Sequence, residues 1–140
     1  MNLKSMEKQI VLQNKISEIP KLAEFIEGIG QELNLPVESV FNLNLALEEA
    51  VTNIIFYAYP KDEIHLIDIH AESDKFQLEF RIIDNGKPFD PTKVPDVDVS
   101  LSAEEREIGG LGIFLLRKMM DNIYYQRVGD KNVLTLIKRL

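Results

Sequence analysis

Apolar residues recur with period two in some stretches of the chain and at three- to four-residue spacing in others, and the switches between these periods divide it into elements. The stretch KQIVLQNKI, residues 8–16, is short and β-branched and predicts a first strand. Ser17 and Pro20 then open a segment in which Ile19, Leu22, Phe25, Ile26, Ile29 and Leu33 follow a helical period. NLPVES breaks that helix, and a second, more apolar one is expected from about Ser39 through Tyr57, where YPKD stops it because proline cannot continue the hydrogen-bond ladder. EIHLIDIHAES and KFQLEFRIID alternate and meet at SDK, which predicts a β-hairpin with Phe76, Leu78, Phe80 and Ile82 on one face. Residues 84–108 read as irregular, with prolines at 88, 91 and 95. GGLGIFLLRKMMD predicts a glycine-led helix, and NIYYQRV, GDK and NVLTLIKRL a closing strand, turn and strand. The sum is a single α+β domain over residues 1–140. Its two layers are a mixed, mostly antiparallel sheet and about three helices packed on one face.

Three polar features interrupt this pattern. At 100° per residue, Asn42, Ala46, Glu49 and Asn53 form one stripe of the second helix, whereas Val40, Leu43, Leu47, Val51 and Ile54 turn toward the core. Glu49 and Asn53 lie one turn apart; Glu48 points away and is expected at the surface. Such a pair fits a solvated polar seam, and it also fits an asparagine oxygen ligating a hard cation beside a glutamate that orients or deprotonates a nucleophile. The second feature is IIDNGKPFDP, residues 82–91, where an apolar strand ends in Asp84 and Gly86. D-N-G is a favourable turn sequence. A buried Asp84 would equally need a donor such as an exocyclic amine, with Gly86 leaving room for a flat ring. The third is GGLGIF, residues 109–114, where glycines at a helix N-terminus expose backbone N–H groups suited to phosphate. It lacks the lysine of a P-loop and does not follow a strand directly, which excludes P-loop and Rossmann readings.

Charge and composition narrow the classes. With 16 Lys and Arg against 23 Asp and Glu, the net charge is −7, which argues against a direct nucleic-acid binder. The chain has no cysteine, so thiolate metal sites and disulfides are ruled out and the cytoplasm is the expected compartment. MNLKSMEKQIVLQNK contains no long apolar run, so neither a signal peptide nor a membrane association is expected.

A helix bearing E-x-x-x-N, then a hairpin ending in D-x-G, then G-x-G at a helix start resembles the GHKL ATPases, the superfamily of gyrase, the heat-shock chaperone ATPases and the sensor histidine kinases. LEEAVTNIIFYAY, DNGKPFDP and GGLGIFLLRKMMD look most like the bacterial anti-sigma factor serine/threonine kinases, over residues 10–140. The resemblance implies a Bergerat-type ATP-binding fold and ATP with Mg²⁺ as cofactors. It implies Glu49 as catalytic base, Asn53 as magnesium ligand, and Asp84 and Gly86 as the adenine site. Gly110, Leu111 and Gly112 would bind phosphate with the preceding loop, about residues 92–108, as a mobile lid. The family's basic lid residue is matched only by Arg106, which EREIGG places upstream of the glycines with Ile108 and Gly109 between. The lid is acidic, carrying Asp96, Asp98, Glu104, Glu105 and Glu107. His65 and His70 fall on a predicted strand, not on a phosphoacceptor helix, and read as structural or surface residues. The implied function is phosphorylation of an anti-anti-sigma-like protein in a partner-switching pathway, with a sigma factor as second partner and a homodimer as the assembly. The alternative is a nucleotide-gated binding module in which ATP or ADP only sets a partner surface. A chaperone-like or topoisomerase-like machine is not expected, since 140 residues leave no room for a transducer domain.

Overall fold

A computed structural model describes residues 6–60, 62–93 and 110–140. Five strands form one sheet in the order β1-β2-β3-β5-β4: β1 Met6–Gln13, β2 Leu66–Ser73, β3 Gln77–Asp84, β4 Asn122–Val128 and β5 Lys131–Arg139. Every pairing among the described strands is antiparallel, so the expected mixed sheet is purely antiparallel there. Alternation decides which face is covered. Ile67, Ile69, Leu78, Phe80, Ile82, Leu134 and Leu136 turn inward and are buried, while their neighbours in sequence face away.

The inward face is covered by α1 Ile19–Glu32, α2 Val37–Tyr57 and α3 Gly110–Met119, with α2 packed against both of the others. Leu43, Leu47, Val51 and Ile54 of α2 join the sheet residues in one core. The start of α2 lies two residues before the expected Ser39, because Pro36 caps it in extended geometry and Val37 begins the helix. A 3-10 turn, Ile16–Glu18, precedes α1. At the other end of α1, Asn34 takes φ 55, and its N–H and that of Leu35 donate to the carbonyls of Gln31 at 3.2 Å and Gly30 at 2.8 Å. This pair of bonds is a Schellman stop, and it turns the chain sharply into α2.

The two hairpin turns follow their local chemistry. Asp74 Oδ1 accepts from the backbone N–H groups of Phe76 and Gln77 at 2.7 and 2.9 Å, which closes the β2–β3 turn. Phe76 is thereby held in the turn, 72% exposed, and does not join the buried face with Leu78, Phe80 and Ile82 as the alternation suggested. Between β4 and β5, Gly129 adopts φ 61, the left-handed region that glycine enters without strain.

The helices α1 and α2 pack closely at Gly30. A Cβ there would lie 2.4 Å from Val40 Cγ2, so α1 and α2 touch only because the side chain is absent. Gly30→Ala should therefore cost about 1–3 kcal/mol through overpacking, read as a lower melting temperature. Adding Val40→Ala should recover most of that loss; no recovery would show that the crowding lies elsewhere.

Candidate functional site

The stripe on α2 is not a solvated seam. Ala46 is fully buried and Asn53 is only 7% exposed. The Asn53 amide nitrogen has no hydrogen-bond partner among the described residues. Leaving such a group unpaired in the fold costs about 1–3 kcal/mol, so a free buried amide is what a binding site holds in readiness for a polar ligand. Glu49, one turn earlier, is half-buried. Burial raises its carboxyl above the ordinary value of 4.5, and the charge of Glu48 beside it pushes the same way. Glu48 itself is half-buried and not the open surface residue expected from the helical wheel.

The second part of the site comes from the end of β3. Asp84 shares the inward parity of Phe80 and Ile82, which places a carboxylate at the edge of an apolar core, 4% exposed. Its Oδ1 accepts from the Gly86 N–H at 2.8 Å and from Asn132 Nδ2 at 3.0 Å. Its Oδ2 takes no hydrogen bond from the described residues.

The turn after Asp84 is braced on every side. Lys87 N–H donates to the Ala58 carbonyl at the end of α2, 3.0 Å. Tyr59 Oη accepts from Asn85 N–H and donates to Asn85 Oδ1, each at 2.9 Å. Burial, together with the Asp84 charge, raises the Tyr59 hydroxyl despite the opposing Asn85 N–H bond, which keeps it a neutral donor. Asn132 Nδ2 also donates to the Lys87 carbonyl at 2.9 Å. Gly86 has a packing reason beside the one read in the sequence: a Cβ would stand 2.5 Å from the Ala58 carbonyl oxygen and 2.6 Å from the Ala58 Cβ. The structure thus makes it glycine so that the turn can seat against α2, and Gly86 does not line the cavity that Asp84 faces.

That cavity brings α2, β3 and α3 together. Asn53 and Asp84 line it, with Ala50, Ile54, Ile113 and Leu116 among its apolar walls and Tyr125 and Asn132 contributed by β4 and β5. An apolar slot with a few fixed polar groups suits a flat heteroaromatic ligand. Glu49 is not on its wall but one helical turn from Asn53. Gly110, Leu111 and Gly112 form the first turn of α3, directly before the wall residue Ile113. Arg106 and the expected lid, apart from Thr92 and Lys93, lie outside the described residues. Pro91–Lys93, at the start of that segment, form a short 3-10 turn. Arg117 Nη2 of α3 donates to the Thr92 carbonyl at 3.0 Å.

Among the described residues no group of three or more His, Asp or Glu side chains is arranged to hold a metal. A magnesium ion held mainly by phosphate oxygens needs fewer protein ligands, and the Asn53 side-chain oxygen could serve as one. His65 lies just before β2 and not on a strand; it stacks on Tyr59 with ring centroids 4.2 Å apart and contacts Glu63 Oε1 at 2.9 Å. His70 is on β2, facing away from the helices. Neither lines the cavity.

Sequence reading missed Asn132, Tyr125 and Arg127. The first could have been found, since Asn132, Leu134 and Leu136 share the inward parity of β5 and an asparagine there is a polar residue at a core position.

Comparison with known proteins matches residues 12–138 to the model of the histidine kinase-like ATPase domain. A serine-protein kinase RsbW of Listeria monocytogenes is 33% identical over 106 residues, covering 71% of this chain and 68% of that protein. The RsbW of Bacillus cereus is 29% identical over 133 residues, covering 87% and 81%. A crystal structure of the RsbU and RsbW domains of a Mycobacterium tuberculosis protein superposes with a TM-score of 0.69 at 14% identity. The match covers 96% of this chain and 32% of that one, about a third of its length. No described helix is long and apolar enough to cross a membrane.

Proposed function

The chain belongs to the histidine kinase-like ATPase family, and we propose that it is an ATP-dependent serine/threonine kinase of the anti-sigma type, which transfers phosphate to an anti-anti-sigma-like protein. The observation that carries this is the cavity in which Asp84 has one carboxylate oxygen engaged and the other free of hydrogen bonds from the described residues, and Asn53 has a buried, unpartnered amide nitrogen, with the half-buried Glu49 a turn away on the same helix. Relatives named serine-protein kinase support phosphoryl transfer over a purely gated binding role.

In this reading Asp84 Oδ2 accepts the exocyclic amine of adenine while Ala50, Ile54 and Leu116 exclude water from the ring. The first turn of α3, with Gly110, Leu111 and Gly112, directs its free N–H groups and positive end toward phosphate. Asn53 holds magnesium, which when bound neutralises charge on the phosphate oxygens. Glu49 accepts the proton of the acceptor hydroxyl, and burial keeps its carboxylate basic enough to do so. Phosphoryl transfer needs little covalent help from the enzyme, so these groups suffice once the partners are aligned. Arg106 supplies a cation to the terminal phosphate, and residues 92–108 act as the lid. A sigma factor is the second partner, a homodimer the working assembly and the cytoplasm the site of action.

The test is calorimetry of Asn53→Ala. It should lose the magnesium-dependent part of ATP affinity, a weakening of roughly 10- to 100-fold, at least what the loss of an outer-shell partner costs a metal site. Binding of ADP in chelator should stay near wild type. Equal loss of both would place Asn53 in the adenine site, and no loss of either would remove it from the nucleotide site.

A further inference from the structure

Arg127 sits on β4, one of the two edge strands of the sheet, and has no place in the nucleotide chemistry described above. Its side chain nevertheless reaches across β5 to the turn after Asp84. Nη1 donates to the Gly86 carbonyl at 2.7 Å and to Asn132 Oδ1 at 3.2 Å, while Nε donates to the Gly129 carbonyl at 3.2 Å. One rigid, charged fork thus ties the β4–β5 turn to the D-N-G turn, with the charge strengthening each bond.

Asn132 is the link between this fork and Asp84. An amide side chain has two N–H donors and two acceptor positions on its oxygen. The donors go to Asp84 Oδ1 and to the Lys87 carbonyl, and the acceptor positions take Tyr125 Oη–H and Arg127 Nη1–H. All four are used within the protein. Asn132 borders the cavity yet keeps no hydrogen-bonding capacity for a ligand, so its effect on one must pass through Asp84. Asp84 Oδ1 is in turn held by Asn132 and Gly86, and Arg127 holds both of those groups.

We propose that Arg127, acting through Asn132 and the Gly86 carbonyl, is a positioning residue that fixes Asp84 so that the site selects a 6-aminopurine over a 6-oxopurine. The inference rests on Asp84 being the base-recognition group of the proposed kinase. With Oδ1 engaged, Oδ2 is left to face the ligand as a pure acceptor, which pairs with an amine and opposes a carbonyl. If the fork is removed, the turn and Asn132 gain freedom, the carboxylate can rotate, and it loses its fixed pairing with an amine along with part of the penalty against a carbonyl.

The experiment measures affinities of ADP and IDP, each with magnesium, by calorimetry. Wild type should favour ADP by roughly 10- to 100-fold, the scale set by leaving a buried polar group facing its mismatch. Arg127→Ala should cut that ratio about tenfold, chiefly through weaker ADP binding, equivalent to one well-placed hydrogen bond. Arg127→Lys should fall between, since a point charge cannot hold two acceptors in a fixed plane. Tyr124→Ala, an exposed position on the same strand, should leave the ratio unchanged. A merely structural role for Arg127 would lower ADP and IDP affinity by one common factor, and that result, or an unchanged ratio, overturns the proposal. Should Arg127→Ala fail to fold, Arg127→Lys and Arg127→Gln decide by the same ratio. Equal binding of ADP and IDP by wild type would instead refute Asp84 as the base-recognition group, and the proposal with it.

Discussion

Glu49→Gln should lower phosphate transfer to the acceptor protein by roughly 10²- to 10⁴-fold while nucleotide affinity stays close to wild type, because a general base is worth about that much in rate and contributes little to holding adenine. The cavity wall supports the separation, since Asn53 and Asp84 line it and Glu49 does not. The measurement is single-turnover transfer of labelled γ-phosphate beside calorimetry of the same variant. Transfer at the wild-type rate would remove Glu49 from the reaction. The pH profile gives a second reading. Burial, with help from Glu48, raises the Glu49 carboxyl, so wild-type transfer should fall away with acid at a pH above the ordinary glutamate value of 4.5. Glu48→Gln removes one of the two causes and should move that acid limb to lower pH. The stability sign follows from the same shift. A carboxyl whose folded value is raised favours the fold fully below its unfolded value near 4.5, and that contribution is lost as pH rises through the folded value. Glu49→Gln should therefore melt above wild type at neutral pH and near it at pH 4.

Most of the frame could be read from periodicity, because each element is marked by its own neighbours in sequence. The alternation in IDIHAES and LEFRIID and the helical repeat before and after Pro36 state their buried faces directly. Asp84 was legible for the same reason, as a carboxylate on the inward parity of an apolar strand. The errors lie where local pattern yields to contact. Phe76 fits the alternation, but two backbone N–H groups bonded to Asp74 draw it into the turn. Gly86 reads as room for a ligand, and the pattern gives no sign of the packing constraint from the Ala58 carbonyl at the end of a helix 28 residues earlier in the chain. The braces of the site were not legible as a set. Asn132 bonds Asp84 across a separation of 48 residues, and Arg127 bonds Gly86 across 41. Nothing in either residue's own stretch names its partner. Only the strand order, which inserts β5 between β3 and β4, brings them together.

That order also decides what happens when Asp84, the proposed base-recognition group, is changed. Asp84→Asn keeps the shape of the side chain but removes its symmetry. The oxygen position now taking bonds from Gly86 N–H and Asn132 Nδ2 must remain an acceptor, because two donors point at it. The new amide is thereby forced to place its NH₂ on the other side, where Asp84 now presents Oδ2. A donor there opposes the amine of adenine and complements a 6-oxo group. ADP and ATP should weaken together, by roughly 10- to 100-fold, since a buried donor facing a donor costs about 1–3 kcal/mol. IDP should bind the variant at least as well as it binds wild type, so the preference between the two bases narrows or reverses. Because the bonds on the engaged side survive, the melting temperature without nucleotide should change little. Calorimetry with ATP, ADP and IDP on one preparation checks all of this. A variant that lost ATP alone would place Asp84 at the phosphates, and a variant that lost ADP and IDP equally would show that Asp84 holds the turn without reading the base.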